Sequence, residues 1–156
     1  IREKITPKTK AIFINSPSNP TGTVIPEARM KEIVGVAKEH GLYIVSDEIY
    51  HGLTYEGKDH SILEFTDQAF VLNGFSKLFA MTGLRLGYLI APPKFVRALQ
   101  VLQQNFFICA NSVTQLAGAV ALTSADKETQ AMRETYNERR KFMIRRLKDM
   151  GLSMSV

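Results

Sequence analysis

The chain has 156 residues, 45% of them hydrophobic, which is enough for one globular unit with a real core. No apolar run is long enough to span a bilayer and no signal-peptide pattern is present, so a membrane-spanning or secreted class is not expected. The net charge of +5 raises the question of nucleic acid, but the basic residues fall into two groups. Arg2, Lys4, Lys8 and Lys10 lie near the N-terminus; Arg139, Arg140, Lys141, Arg145, Arg146 and Lys148 lie on a helical pattern with apolar positions Met132, Tyr136, Met143, Leu147 and Met150. The second group reads as a solvated helix face rather than a phosphate-tracking groove, so no nucleic-acid partner is expected. The single cysteine, Cys109, sits in an apolar stretch and reads as a buried small side chain rather than a nucleophile. With one cysteine no disulfide can form within the chain, which fits a reducing cytoplasm.

In chain order, Lys10 to Asn15 is a short apolar run of the kind that forms a strand buried on both faces of a parallel sheet. It ends in Ser16-Pro17-Ser18-Asn19-Pro20-Thr21-Gly22, a cluster of turn formers whose prolines leave Asn19 at the strand's carboxyl end. Pro26 to His40 predicts a helix with Met30, Ile33, Val34 and Ala37 on one stripe, proline at its first position and Gly41 just past its end. Ile25 stands where a capping Ser or Asp is usual. A second strand, Leu42 to Ser46, follows, and the strand, helix, strand order predicts a parallel crossover. It runs into Asp47-Glu48-Ile49-Tyr50, where a carboxylate after a buried run is a helix cap, an ion-pair partner or a site residue. Glu48 and His51 are read as structural, His51 because the sequence shows no partner for it.

Gly52 to Thr66 is polar and punctuated by glycine, hence a loop with a short helical turn at most. Ala69 to Asn73 reads as a third strand and Gly87 to Pro92 as a fourth. Between them lies Gly74-Phe75-Ser76-Lys77-Leu78-Phe79-Ala80-Met81-Thr82-Gly83-Leu84-Arg85-Leu86, a turn rich in small residues that carries one lysine. A lysine that must shed its proton and bond a carbonyl is helped by desolvation and by a neighbouring cation, here Arg85; a surface lysine needs neither. From Pro93 the chain is helical, with Phe95, Ala98, Leu99, Leu102 and Phe106 on one face and Val113, Leu116, Ala117 and Val120 on the next. Asn111-Ser112 divides the two and Ser112 is the expected cap. Asp126 starts a long helix to about Met150, and Gly151 to Val156 begins a strand-like alternation. Asn19, Asp47 with Tyr50, and Lys77 each follow an apolar strand, and ligands of open parallel sheets bind beyond the strands' carboxyl ends. No metal-ligand set, internal repeat or low-complexity segment is read.

The lysine turn resembles the lysine signature of the class I/II aminotransferases, fold type I pyridoxal phosphate enzymes: small-aromatic-Ser-Lys, then Gly83, Arg85 and Gly87 at the family spacing. Asn19-Pro20-Thr21-Gly22 after the first strand and Ser46-Asp47-Glu48-Ile49-Tyr50 after the second are similar to two further motifs of that family. The resemblance implies an α/β fold of three layers, a mostly parallel sheet with helices on both faces, forming part of the large domain. Residues 1–125 would be a partial cofactor-binding domain, and 126–156 the long helix and the start of the connection to a small domain. It implies pyridoxal 5'-phosphate as cofactor, held by Lys77 as an internal aldimine, with Asp47 facing the pyridine nitrogen so that it stays protonated. Asn19 and Tyr50 would bond the ring's phenolic oxygen, and Arg85 would pair with the phosphate through two parallel hydrogen bonds. Gly74 departs from the pattern, because many relatives carry a serine there; Ser76 is the hydroxyl that would replace it.

Both ends of the chain look cut, and the resemblance covers essentially all of it but less than half of a usual family member. The glycine-rich phosphate loop, the aromatic residue that stacks on the ring and the arginine that grips the substrate carboxylate lie in the parts not covered. The expected activity is amino-group transfer between amino acids and 2-oxo acids in a cytoplasmic homodimer, with Asn105 and Asn111 near a neighbouring subunit's site. A carbon-sulfur lyase shares every motif named, and so does the aminotransferase-like sensor domain of a transcription regulator. The fragment alone could also be inactive.

Overall fold

The computed structural model describes residues 1–153, and the end of the expected C-terminal strand-like segment lies outside them. Four strands form one sheet in sequence order: β1 (Ala11–Asn15), β2 (Tyr43–Asp47), β3 (Ala69–Gly74) and β4 (Gly87–Ile90). The first three run parallel, and β4 turns back antiparallel to β3. The helices are α1 (Glu27–Glu39), α2 (Pro93–Phe107), α3 (Ser112–Ser124) and α4 (Asp126–Asp149). Each expected strand and helix is present within one or two residues of its expected bounds, and Gly151 to Ser153 show no strand.

Alternation along the strands gives the sheet two different faces. Ile12, Ile14, Ile44, Ala69 and Val71 share one face and bury against Met30, Val34 and Ala37 of α1, the residues that recur at helical spacing on its inner stripe. Met30 is fully buried at the centre of this contact. Met30→Ala is expected to lower the stability of the full-length protein by roughly 2–5 kcal/mol, read as a lower urea midpoint, because the cavity cannot collapse fully. On the opposite face Phe95 of α2 packs edge-on to Tyr43, their ring centroids 5.2 Å apart, and against Phe70 at the same 5.2 Å. Helices therefore flank both faces, as expected.

The second face is only partly covered, which corrects the expectation for β1. Its burial alternates, and Phe13 is 63% exposed, because no helix among the described residues lies over that end of the sheet. The same holds for α2, where Leu102 and Phe106 of the apolar stripe, and Phe107 next to them, are exposed. Cys109, expected to be buried, is exposed in the segment that follows them. Periodicity identifies the apolar face of a helix, but what covers that face is a matter of tertiary structure.

Caps account for the helix ends. Pro26 is the cap residue of α1 rather than its first helical residue, with an extended ψ of 155°. At the other end Gly41 takes φ +63°, its N–H bonds Lys38 O, and Leu42 N–H reaches back to Ala37 O at 2.8 Å. That pair of bonds is the Schellman closure, which needs a left-handed residue and so favours glycine. At α3 the cap is Asn111, not Ser112: the Asn111 side-chain oxygen accepts from the N–H groups of Val113 and Thr114. Asn and Ser both cap well, and a one-residue shift decided between them. No helix among the described residues is long and apolar enough to cross a membrane.

Candidate active site

The carboxyl ends of β1, β2 and β3 gather most of the residues singled out by the sequence. Pairing puts Asn15 beside Asp47 and Asp47 beside Leu72, so the loops after the three strands start level with one another. The loop after β1 carries two cis peptide bonds, Ser16–Pro17 and Asn19–Pro20. Within it the Asn19 side-chain N–H donates to the Tyr50 hydroxyl at 3.0 Å. The Lys77 ammonium stands over the Tyr50 ring, 5.6 Å from its centroid. Asn19, Tyr50 and Lys77, which lie on three different loops, thus converge on one spot.

Asp47 ends β2 half-buried, with one carboxylate oxygen accepting from Ile49 N–H at 3.1 Å. Its other oxygen accepts no hydrogen bond from the described residues. Asn15 was missed by sequence reasoning, yet it joins two of the loops. Its side-chain N–H donates to Asp47 O at 3.0 Å, and its side-chain oxygen accepts from Asn19 N–H at 2.9 Å. The available signal was a polar residue ending an apolar strand, where an unpaired amide would be costly.

Ser76 and Arg85 belong to the lysine turn itself, and no hydrogen bond ties them to Asn19, Asp47 or Tyr50 among the described residues. Thr82, also missed, links them: its hydroxyl donates to Ser76 O at 2.8 Å, and its own carbonyl accepts from the Arg85 guanidinium at 3.0 Å. Ala80 and Arg85 take φ of 52° and 53°, left-handed values that disfavour residues with a Cβ. Such backbone costs about 1–3 kcal/mol per residue and persists only where the surrounding structure over-determines it. Packing holds the turn from behind. A Cβ on Gly118 of α3 would lie 2.6 Å from a Leu86 methyl and 3.1 Å from the Phe75 ring, so α3 packs closely on the turn and a larger residue there would have to displace both side chains. Leu78 in turn fills the space beside Gly52, and the Arg133 guanidinium of α4 donates to Thr54 O at 2.9 Å.

Asn105 and Asn111, expected near a subunit boundary, make local bonds here, Asn105 to Val101 O and Asn111 as the α3 cap. His51 is not without neighbours: its ring nitrogens stand 3.9 Å from a carboxylate oxygen of Glu48 and of Asp59. Burial, and then the Glu48 charge, push the Tyr88 hydroxyl up from its ordinary pKa.

The family model described as aminotransferase class I and II matches residues 1–155. The chain belongs to that family. It is 45% identical over 97% of its length to the (5-formylfuran-3-yl)methyl phosphate transaminase of Methanocaldococcus jannaschii, covering 41% of that protein. It is 41% identical over 93% of its length to the aspartate aminotransferase of Thermotoga maritima, covering 38% of it. Among solved structures, a double mutant of the Thermus thermophilus aspartate aminotransferase superposes with a TM-score of 0.93 at 36% identity, over 97% of this chain and 41% of that one. The chain therefore spans about two-fifths of the length of the curated relatives it matches. Its sheet and helices are those of the fold type I aminotransferases, as the sequence motifs implied.

Proposed function

We propose that the full-length protein is a pyridoxal 5'-phosphate-dependent aminotransferase that exchanges amino groups between amino acids and 2-oxo acids. The observation that carries this is the convergence of Asn19, Tyr50 and Lys77 above the ends of three strands. The donor set suits the cofactor chemically. Lys77 offers an amine for its aldehyde, Asp47 an acid for its ring nitrogen, and Tyr50 with Asn19 two donors for its phenolic oxygen. Ser76 and Arg85 offer a hydroxyl and a guanidinium for its phosphate. When bound, the cofactor supplies an electron sink that makes the substrate's α-proton acidic.

The residues do the rest. Lys77 would hold the cofactor through its amine, and the same amine, when free, would be the base that takes up and returns the substrate's α-proton. Asp47 would keep the ring nitrogen protonated by its negative charge. Tyr50, steadied by Asn19, would donate to the phenolic oxygen and favour its charged form. We further propose a homodimer in the cytoplasm, without nucleic-acid or membrane partners, and a division into a partial large domain (1–125) and a connection to a small domain (126–156).

The test is a spectral titration of the full-length protein. Adding pyridoxal 5'-phosphate should raise a visible band, which an amino acid bleaches with release of its oxo acid and a second oxo acid restores. Continuous oxo acid and ammonia formation without an acceptor would instead identify an eliminating enzyme.

A further inference from the structure

Glu48 lies between two of the proposed cofactor ligands and faces away from both. Ser46 and Glu48 point to the buried side of β2, at 0% and 2% exposure, while Asp47 between them points to the other side. A carboxylate so deeply buried is tolerated only when it is well bonded. One oxygen of Glu48 accepts from the Ser46 hydroxyl at 2.9 Å and from Ile62 N–H, also at 2.9 Å. Ile62 opens the short helix Ile62–Glu64, fourteen residues further along the chain. The other oxygen is 3.9 Å from a ring nitrogen of His51.

The backbone fixes the same point. Glu48 N–H continues the ladder to Leu72 O at 2.9 Å, and His51 N–H folds back onto Glu48 O at 2.9 Å. Beyond it, Gly52 N–H donates to the Asp59 carboxylate at 2.7 Å. The turn that carries Tyr50 is therefore gripped on either side, and its anchor on the sheet side is a side chain that reaches neither Asn19 nor Lys77. The two bonds to one Glu48 oxygen tie the turn to Ile62, and breaking them leaves a buried hydroxyl and a buried N–H without an acceptor.

We propose that Glu48 is a positioning residue: through Ser46 and Ile62 its carboxylate clamps the Asp47–Tyr50 turn to the sheet and so aims Asp47 and Tyr50 at the cofactor. This rests on the functional reading above, in which Asp47 and Tyr50 bind the cofactor. What matters at position 48 is then reach and acceptor geometry, not charge. Glu48→Gln keeps an acceptor oxygen at full length and removes the charge; Glu48→Asp keeps the charge and falls one methylene short.

The two variants are compared with wild type in the full-length protein, first without cofactor by amide hydrogen exchange, then by titration with pyridoxal 5'-phosphate. Glu48→Asp is expected to lose protection at Ile62 N–H, bind the cofactor at least about tenfold more weakly, and move the pH midpoint of the bound cofactor's visible band upward as the Tyr50 bond slackens. Glu48→Gln is expected to keep Ile62 protected and to stay within about twofold of wild-type affinity. Should Glu48→Asp match wild type in affinity and midpoint, or should Glu48→Gln be as impaired as Glu48→Asp, the clamp is overturned while the functional reading stands. Wild-type protein that raises no visible band with the cofactor overturns both.

Discussion

Replacing Lys77 by alanine in the full-length protein is expected to lower amino-group transfer by about a thousandfold or more and to remove the visible band of the lysine-bound cofactor. The size follows from two roles carried by one amine. In the proposed mechanism it is both the group that holds the cofactor's aldehyde carbon and the base that moves the substrate's α-proton. Lys94, which also stands over a tyrosine ring, lies 5.2 Å from Tyr43 at the start of β2, whereas Tyr50 follows the end of that strand. Lys77→Arg is expected to fare no better, because a guanidinium keeps its proton at any working pH and cannot act as the base. Cofactor binding should persist in weakened form in both variants, through the groups at positions 47, 50, 76 and 85. A Lys77→Ala protein that turns over at the wild-type rate would remove the basis for the proposed mechanism.

How much of this could be read from the residues depends on how local each cause was. The strands were legible because β1, β2 and β3 are short apolar runs bounded by turn formers, and α1 because Met30, Val34 and Ala37 repeat at helical spacing. That Asn19, Tyr50 and Lys77 come together could be expected because each lies within a few residues of the carboxyl end of a strand, in motifs that resemble those of a known family. Asn15 was not legible because it joins segments that only the fold brings together, and Thr82 because its bonds to Ser76 and Arg85 depend on the conformation of the turn that holds all three. Glu48 looked structural for the same reason: its main backbone partner, Ile62, is far along the chain, in a loop with no periodic signal. The exposure of Phe13, Phe106 and Cys109 was also hidden, since composition says that a residue is apolar but not what covers it.

Asp47→Asn should cost roughly a hundredfold in transfer rate with little change in stability, and it separates the charge at position 47 from the geometry at position 48. The asparagine retains an oxygen for Ile49 N–H, now 3.1 Å from the Asp47 carboxylate, so the turn should hold its shape. What it would lose, in the proposed site, is the negative charge beside the cofactor's ring nitrogen. A carboxylate within contact of a cationic group typically raises its pKa by about 1–3 units. Two units correspond to about 2.7 kcal/mol and a hundredfold in the population of the protonated ring. If the ring must be protonated to stabilise charge at the α-carbon, that factor passes directly into the rate. Asp47→Glu keeps the charge but displaces it by a methylene, so it should fall between Asp47→Asn and wild type. At position 48 the order is reversed, with the neutral Gln nearer to wild type than the charged Asp. If Asp47→Asn instead turned over within a factor of about three of wild type, the ring nitrogen would not depend on this acid. The contrast between neighbouring acids would then disappear, and Asp47 would be left as the cap of the turn at Ile49.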